Sequence, residues 1–220
     1  MMNRRTLTRC AAALACAASL PLPLSALAAD EAPDALVKRL SADVLETLRS
    51  DKSIKAGDIG KIMALVDKTI LPHVNFRRMT AAAVGPTWRT ATPEQQQRLQ
   101  DEFKQLLVRT YSGALSEVTD QTIVVKPLRA APTDTDVLVR TEIRGRGDPV
   151  QLDYRLEKTP GQGSGWKIYN LNVLGVWLVE TYRTQFAQEI NTKGINGLIE
   201  SLAARNKANA TAAAGAAGAR

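Results

Sequence analysis

Residues 173–186 read VLGVWLVETYRTQF, and they mark the point where a predicted sheet gives way to a helix. The end of a β-strand passes through one glycine, Gly175, into a run of four apolar residues that is predicted to open the helix. Beyond that run, apolar residues settle to helical spacing, at Leu178, Tyr182, Phe186 and Ile190. An ordinary surface helix has a narrower apolar stripe. We therefore expect this stretch either to be a well-buried junction or to line an apolar space.

Four runs of alternating apolar and polar residues precede this stretch, beginning near Asp120. The clearest run is 150–157, where Val150, Leu152, Tyr154 and Leu156 alternate with polar residues, and the last is 166–173. Short segments rich in glycine, proline and aspartate separate the runs. Period-two alternation between short turns predicts an antiparallel meander with one apolar face and one charged, solvated face.

Helical periodicity dominates the chain before residue 120. It predicts helices over about 36–48, over 58–70 up to Pro72, over 76–84, and over a long segment that opens at Thr92. After the sheet, the helix of the opening stretch is followed by a last helix with Ile195, Leu198, Ile199 and Leu202. The predicted fold class is α+β, with a four-stranded antiparallel sheet packed against helices.

The two ends of the chain are expected to lie outside this fold. Arginines precede an apolar segment at residues 10–20, and an Ala-Leu-Ala site ends at Ala28, which together predict a secretory signal peptide over residues 1–28. The run NRRTL at residues 3–7 also fits a twin-arginine signal, so the export route stays open. Residues 208–220 are mostly alanine and glycine and predict a disordered tail. A single domain over 29–207 remains.

Composition narrows the function classes. Both cysteines, Cys10 and Cys16, precede residue 28, so the expected mature chain has no disulfide, no cysteine-bound metal and no thiol nucleophile. Loss of the leader also lowers the formal charge of +7 by three. A basic strip on the polar sheet face has few interleaved aromatic residues, so nucleic acid is not expected as a partner; the strip comprises Arg140, Arg144, Arg146 and Arg155.

The sequence offers little catalytic chemistry. The one histidine, His73, follows a proline at a helix end and has no partners with which to form a metal cluster. A Gly-x-Ser-x-Gly elbow is missing, and the glycine-rich segment 161–165 connects two predicted strands. We therefore predict a protein that is not an enzyme and has neither a cofactor nor a metal. The predicted inner face of the sheet has a surplus of apolar residues. This surplus permits two interpretations, a packed core or a cavity for an apolar ligand.

Two segments of the chain contain an ordered set of residues that matches a known family. In the first segment the matching residues are Leu71, Pro72, His73, Val74, Phe76, Met79, Gly85, Trp88, Arg89, the run 91–95, Phe103, Leu106, Leu107, Thr110 and Tyr111. In the second segment they are the runs 176–179 and 194–199 with Tyr182, Arg183, Gln185, Phe186 and Leu202. Over about residues 33–206, the chain therefore resembles the MlaC, or toluene-tolerance, family of periplasmic phospholipid-binding proteins. Trp177 departs from the family pattern, in which a small or polar residue is expected at this position.

This resemblance implies a monomeric periplasmic carrier that holds phospholipid as cargo, with the acyl chains inward. It implies shuttling between an outer-membrane lipoprotein–porin complex and an inner-membrane ABC transporter with an MCE-domain protein, which maintains outer-membrane lipid asymmetry. It also implies a cone like that of nuclear transport factors, in which a curved sheet and helices enclose an apolar cavity. Catalytic groups are not required for that task.

Candidate lipid-binding residues follow from the apolar faces of the predicted elements. Arg89 and Arg183 are candidates for a phosphate contact, although an ordinary surface salt bridge is the preferred interpretation of each. The lipid-binding candidates are Val74, Phe76, Met79, Leu107, Tyr111, Leu115, Val139, Leu152, Tyr154, Leu171, Val173, Trp177, Leu178 and Tyr182.

Two other functions remain open at this stage. One is an exported adaptor that docks on an envelope complex through the basic strip and has a solid core. The other is an enzyme on the same cone-shaped fold, for which Tyr111, Tyr154 and Asp153 are the nearby ionisable groups.

Overall fold

The structure is a computed structural model that describes residues 31–218, with side chains described to residue 212. The predicted signal peptide and both cysteines lie outside the described residues. The α-helices are α1 (Pro33–Ser50), α2 (Lys52–Lys55), α3 (Ile59–Leu65), α4 (Phe76–Val84), α5 (Pro93–Ser116) and α6 (Leu178–Gly218). A π-helical turn (Val66–Ile70) and two 3-10 segments (Leu71–His73 and Gly85–Thr90) connect α3 to α4 and α4 to α5.

Five antiparallel strands form one open sheet in sequence order. They are β1 (Thr122–Val125), β2 (Asp136–Arg144), β3 (Val150–Lys158), β4 (Trp166–Val173) and β5 (Val176–Trp177). The α+β prediction and the antiparallel meander are confirmed, but the predicted number of four strands was too small by one.

The fifth strand also corrects the predicted start of the last helical region. Val176 and Trp177 pair with Val173 and Asn172 of β4, so these two residues are a short strand and the helix begins at Leu178. Leu174 and Gly175 connect the strands with φ of 53° and 85°. Two successive positive φ values give the tight hairpin turn that reverses the chain within two residues.

Strand pairing divides the side chains of the sheet into two faces, because residues paired across antiparallel strands point to the same side. The inner face contains the row Thr141, Leu152 and Val173 and the row Val139, Tyr154 and Leu171. A register shift at Arg155/Leu156 changes the phase of β4, so that Ile168 pairs with Leu156. The outer face contains Arg140, Asp153, Asn172 and Trp177 in one row.

Helix α1 covers one part of the inner face. Its residues Leu36, Val37 and Leu40 pack with Val137, Val139, Leu156, Trp166 and Ile168 in one buried cluster. The helix begins near the start of β4, where the Glu31 amide donates to the Ser164 carbonyl at 3.0 Å. It ends near the start of β1, where Arg49 donates to the Gln121 carbonyl. The helix therefore crosses the sheet diagonally.

A second core joins α4, α5 and the first part of α6 beside β4. Phe103 of α5 is fully buried and lies with its ring 4.9 Å from that of Tyr182 and 5.3 Å from that of Phe186, both edge to face. Helix α6 bends at Gly194 (φ 68°, ψ −174°), and Leu198 and Leu202 of its second arm return to the same cluster.

The end of α6 extends beyond the predicted domain limit at residue 207. The helix continues to Gly218, through the segment predicted as a disordered tail. Alanine has the highest helix propensity of all residues, so an alanine-rich segment prolongs an existing helix without burying a face. The proposed domain limits of 29–207 stay a prediction.

The aromatic core gives the first testable prediction. Phe103→Ala should lower the free energy of unfolding by about 3–5 kcal/mol, because it removes a fully buried ring and leaves a cavity. Leu107→Ala, one turn later on the same helix, should cost only about 1–2 kcal/mol, because this side chain is half-buried. Urea unfolding measures the loss of free energy of unfolding in each variant. Equal losses would contradict the conclusion that α5 is packed around Phe103 and partly open around Leu107.

Candidate functional site

Burial of the inner sheet face changes sharply along the strands. On β3, Leu156 has no exposed surface, whereas Tyr154 and Leu152 are half-buried. On β4, Ile168 is 4% exposed, whereas Leu171 and Val173 are half-buried. Central strands of a sheet are normally the best covered, so the partial exposure of apolar residues here marks a region that the helices do not fill.

Helix α5 shows the same change along its length. Leu99 and Phe103 are fully buried, whereas Leu107 and Tyr111 are half-buried and Ala114 is exposed. The helix ends at Ser116 and β1 begins at Thr122, so the second half of α5 lies at the same end of the molecule as the start of β1. That is also the end where β3 begins and β4 finishes, because the strands are antiparallel.

We refer to these partly exposed apolar residues, which gather at one end of the molecule, as the apolar hollow. They come from the uncovered part of the inner sheet face and from the second half of α5. The hollow is defined by Leu107, Tyr111, Leu152, Tyr154, Leu171 and Val173.

Two tyrosines, Tyr111 and Tyr154, belong to the hollow, and Tyr182 lies beside it. Burial raises the pKa of Tyr154 to about 12, although hydrogen bonds from Ser41 and Thr141 act in the opposite direction. Burial also raises the pKa of Tyr111 and of Tyr182, which lie near each other, and Thr110 is a hydrogen-bond partner of Tyr182. All three hydroxyls therefore stay neutral at physiological pH.

Eight of the fourteen predicted site residues lie in the hollow or beside it. Six define it, and Leu178 and Tyr182 are buried at the adjoining start of α6. Two of the six also touch a packed cluster, Leu107 the helical core and Tyr154 the α1 cluster. The remaining residues belong to packed clusters or to the other face: Met79 and Phe76 are in the helical core, Val74 joins that core to the α1 cluster, Val139 is buried beneath α1, and Leu115 packs with α2 and α3.

Trp177 lies apart from the other candidates, on the outer face. It pairs with Asn172, and the Arg155 guanidinium lies over its ring at 4.4 Å from the centroid. The sequence prediction placed Trp177 at a helix start, where it would have faced inward. The strand that forms at Val176–Trp177 turns it to the opposite side.

Two pockets occur elsewhere on the described residues. One, of about 120 Å³, lies at the bend of α6 between Phe186 and Arg205, and the other, of about 460 Å³, opens beside Pro93 and Asp101 at the start of α5. Neither contains any of the fourteen predicted residues. The hollow is thus recognised by partly exposed apolar side chains rather than by either pocket.

Comparison with known proteins identifies the family. The sequence model described as MlaC protein matches residues 38–204. The chain belongs to the MlaC family.

Several relatives of this MlaC-family chain are known. A phospholipid-binding protein from Ralstonia solanacearum, solved in complex with a phospholipid, has a TM-score of 0.77 and 48% identity, covering 80% of this chain and 98% of that one. The toluene tolerance protein ttg2D of Pseudomonas putida is 27% identical over 78% of this chain and 79% of its own. The Haemophilus influenzae intermembrane phospholipid transport system binding protein MlaC is 23% identical over 79% and 82%.

The basic strip of this MlaC-family chain is largely paired with acidic residues. Arg144 bonds Glu142 at 2.7 Å, Arg146 lies 3.3 Å from Asp120, and Arg155 lies 3.4 Å from Glu180. Arg140 stands opposite Asp153 in the outer row. Such pairing reduces the positive field that the adaptor hypothesis needs.

Of the three ionisable groups considered for catalysis, Tyr111 and Tyr154 belong to the hollow and Asp153 does not. Asp153 lies on the outer face, where it accepts bonds from the Thr141 amide and the Gln151 side chain. Burial lowers the pKa of His73. Within residues 31–212, no group of three or more histidine or acidic side chains is arranged to hold a metal. Arg89 and Arg183 are exposed.

Four residues near the hollow were missed by the sequence analysis. Thr110 and Ala114 lie on the exposed side of α5, and Leu174 and Val176 lie at the β4–β5 turn. Only the apolar character of Leu174 next to Gly175 could have suggested an exposed apolar turn.

Among residues 31–218, no helix has the length and hydropathy needed to cross a membrane.

The buried hydroxyl of Tyr154 gives a prediction about alkaline stability. Its pKa is about 12 in the folded chain and about 10 when unfolded, so its contribution is complete below pH 10 and is lost as the pH rises towards 12. Tyr154→Phe should cost about 1 kcal/mol at neutral pH, through lost hydrogen bonds. Above pH 10 that cost should shrink or reverse, by up to roughly 1.4 kcal/mol per pH unit. Urea unfolding of the unaltered protein and of the variant at pH 8 and pH 11 measures this. A difference in their free energies of unfolding that is the same at both pH values would contradict a buried hydroxyl.

Proposed function

We propose that this chain is a phospholipid carrier that holds acyl chains against the apolar hollow. The observation that carries the proposal is the partial exposure of Leu152, Leu171 and Val173 on β3 and β4, together with that of Leu107 and Tyr111 on the part of α5 at the same end of the molecule. The phospholipid-bound Ralstonia protein supports it, because it is 48% identical and its fold matches over nearly its whole length.

The energetics of acyl chains explain why a carrier needs such a surface. Each buried methylene is worth about 0.8 kcal/mol, so two acyl chains of ordinary length cost on the order of 20 kcal/mol to expose to water. A lipid therefore does not cross an aqueous space unaided. A carrier needs a surface nearly as apolar as a bilayer, so that loading and release stay close to balance. Neutral tyrosine hydroxyls at the hollow fit that requirement, since a buried charge would oppose the entry of a chain.

The wider setting of the carrier is also part of the proposal. The leader predicted over residues 1–28 directs the chain to the periplasm. There the carrier exchanges lipid with an outer-membrane lipoprotein–porin complex and an inner-membrane MCE/ABC transporter, and so maintains lipid asymmetry of the outer membrane. The name of the Haemophilus relative, an intermembrane phospholipid transport system binding protein, supports this assignment.

Lipid analysis of the purified protein tests the function. The chain is expressed with its leader and purified from the periplasmic fraction without detergent. Native mass spectrometry should show an added mass of one phospholipid for each chain, and organic extraction should recover that lipid. A protein that carries no lipid, and that takes up none after delipidation and incubation with phospholipid, would contradict the proposal.

Filling the hollow gives a sharper prediction, because a hollow and a packed core respond oppositely to added volume. Val173→Trp should reduce lipid occupancy several-fold and leave the free energy of unfolding of the lipid-free protein nearly unchanged, since the ring enters open space. Val139→Trp is the matched control, at an inner-face site that is 1% exposed beneath α1. It should destabilise the fold by about 1–3 kcal/mol through overpacking. Equal destabilisation by both variants would show that the hollow is filled.

A further inference from the structure

The β4–β5 turn carries the large apolar side chains that are most exposed among residues 31–212. Leu174 is 64% exposed and Val176 is 50% exposed. We call these two residues the lip. An isolated exposed leucine is ordinary on a protein surface, so exposure alone indicates no function. The position of the lip in the sheet and its backbone conformation are what single it out.

The lip continues the apolar surface of the hollow. Val176 pairs with Val173, which pairs with Leu152, so the three side chains form one row on the inner face. Exposure rises along this row, from half-buried at Leu152 and Val173 to exposed at Val176. An apolar path thus runs from the hollow to the edge of the sheet, and it ends in solvent.

Leu174 occupies a backbone conformation that disfavours leucine. Its φ is 53°, and among the described residues it alone has a positive φ without being glycine. Asparagine or glycine fits such a turn position with less strain. The turn is also held firmly, because the Leu174 amide donates to the Gln151 carbonyl and the Gly175 amide donates to the Asn172 side chain. A strained, exposed leucine on a fixed turn has no evident benefit for folding.

We propose that the lip contacts the hydrocarbon of a phospholipid bilayer and guides acyl chains between that layer and the hollow. This inference rests on the proposed carrier function. Two side chains bury little area, so the contact is brief, as a carrier that must leave again requires. The charges at the same end of the sheet are paired, Arg144 with Glu142 and Arg146 with Asp120, which favours apolar contact over attraction to anionic lipid.

Transfer kinetics test the lip separately from the hollow. The full chain is loaded with a fluorescent phospholipid, and its transfer to neutral phosphatidylcholine vesicles is followed at low and high salt. In the double variant Leu174→Asn/Val176→Thr, asparagine suits the positive φ and threonine suits a strand. Transfer should slow by about tenfold or more, because apolar area is lost at the contact. Lipid occupancy and melting temperature should stay unchanged.

The matched control removes an apolar side chain from the outer face. Leu138→Thr, on β2, should leave the transfer rate unchanged. Unchanged transfer by the lip variant, or transfer by the unaltered chain that falls steeply with salt, would overturn the lip proposal while leaving the carrier function intact. Absence of any bound lipid would instead overturn the carrier function itself.

A fluorescent probe provides a second measurement. The sequence has no cysteine after Cys16, so Val176→Cys can be labelled at one site with an environment-sensitive dye. Its emission should shift to the blue on addition of phosphatidylcholine vesicles. The same dye at Thr133→Cys, in the exposed loop at the opposite end of the sheet, should not respond. A response at neither site would overturn the proposal.

Discussion

The diagonal packing of α1 across the inner sheet face is the interaction on which the rest of the structure depends. Leu36 and Leu40 cover the end of the sheet that contains Val137, Leu156 and Ile168. The same diagonal leaves the other end of β3 and β4 without that cover, so apolar residues selected for a sheet interior remain partly exposed. A helix aligned with the strands would cover the face more evenly. One packing choice therefore creates both a stable core and the apolar hollow.

Stability and function are separated along the helices as well. The aromatic group around Phe103 fixes α4, α5 and α6 to one another, and it lies on the first half of α5. On the second half of α5, Leu107 still packs against this cluster, but Leu107 and Tyr111 are only half-buried. On the outer face, Trp177 and Arg155 cover a row of buried polar residues whose hydrogen bonds are satisfied within the sheet and at the start of α6. The outer face thus has a structural role, and the partly exposed apolar residues lie on the inner face.

Much of this arrangement could be predicted from the sequence, because periodicity reports which side chains share a face. The alternation of Leu152 and Tyr154 with polar neighbours placed them correctly on the inner face, and helical spacing placed Leu178 and Tyr182 correctly at the start of α6. The family resemblance was confirmed. The sequence analysis assigned Trp177 to the wrong face because a strand of two residues is too short to show a period-two pattern. In the sequence, such a strand after a tight turn looks like the first turn of the helix that follows. Met79 and Val139 were predicted as site residues although they are packed, since a pattern shows that a residue faces inward but not whether a neighbour covers it. The path of α1 decides that question, and it depends on contacts distant in sequence.

The central claim is that acyl chains occupy the space between the uncovered part of the sheet and the second half of α5. A crystal structure of the protein purified without detergent from the periplasm tests it most directly. The account predicts elongated electron density beside Leu152, Leu171 and Tyr111, with its polar end towards the β4–β5 turn. Side chains that close the space between β4 and α5 with no such density, or lipid density seated at the bend of α6 instead, would contradict it.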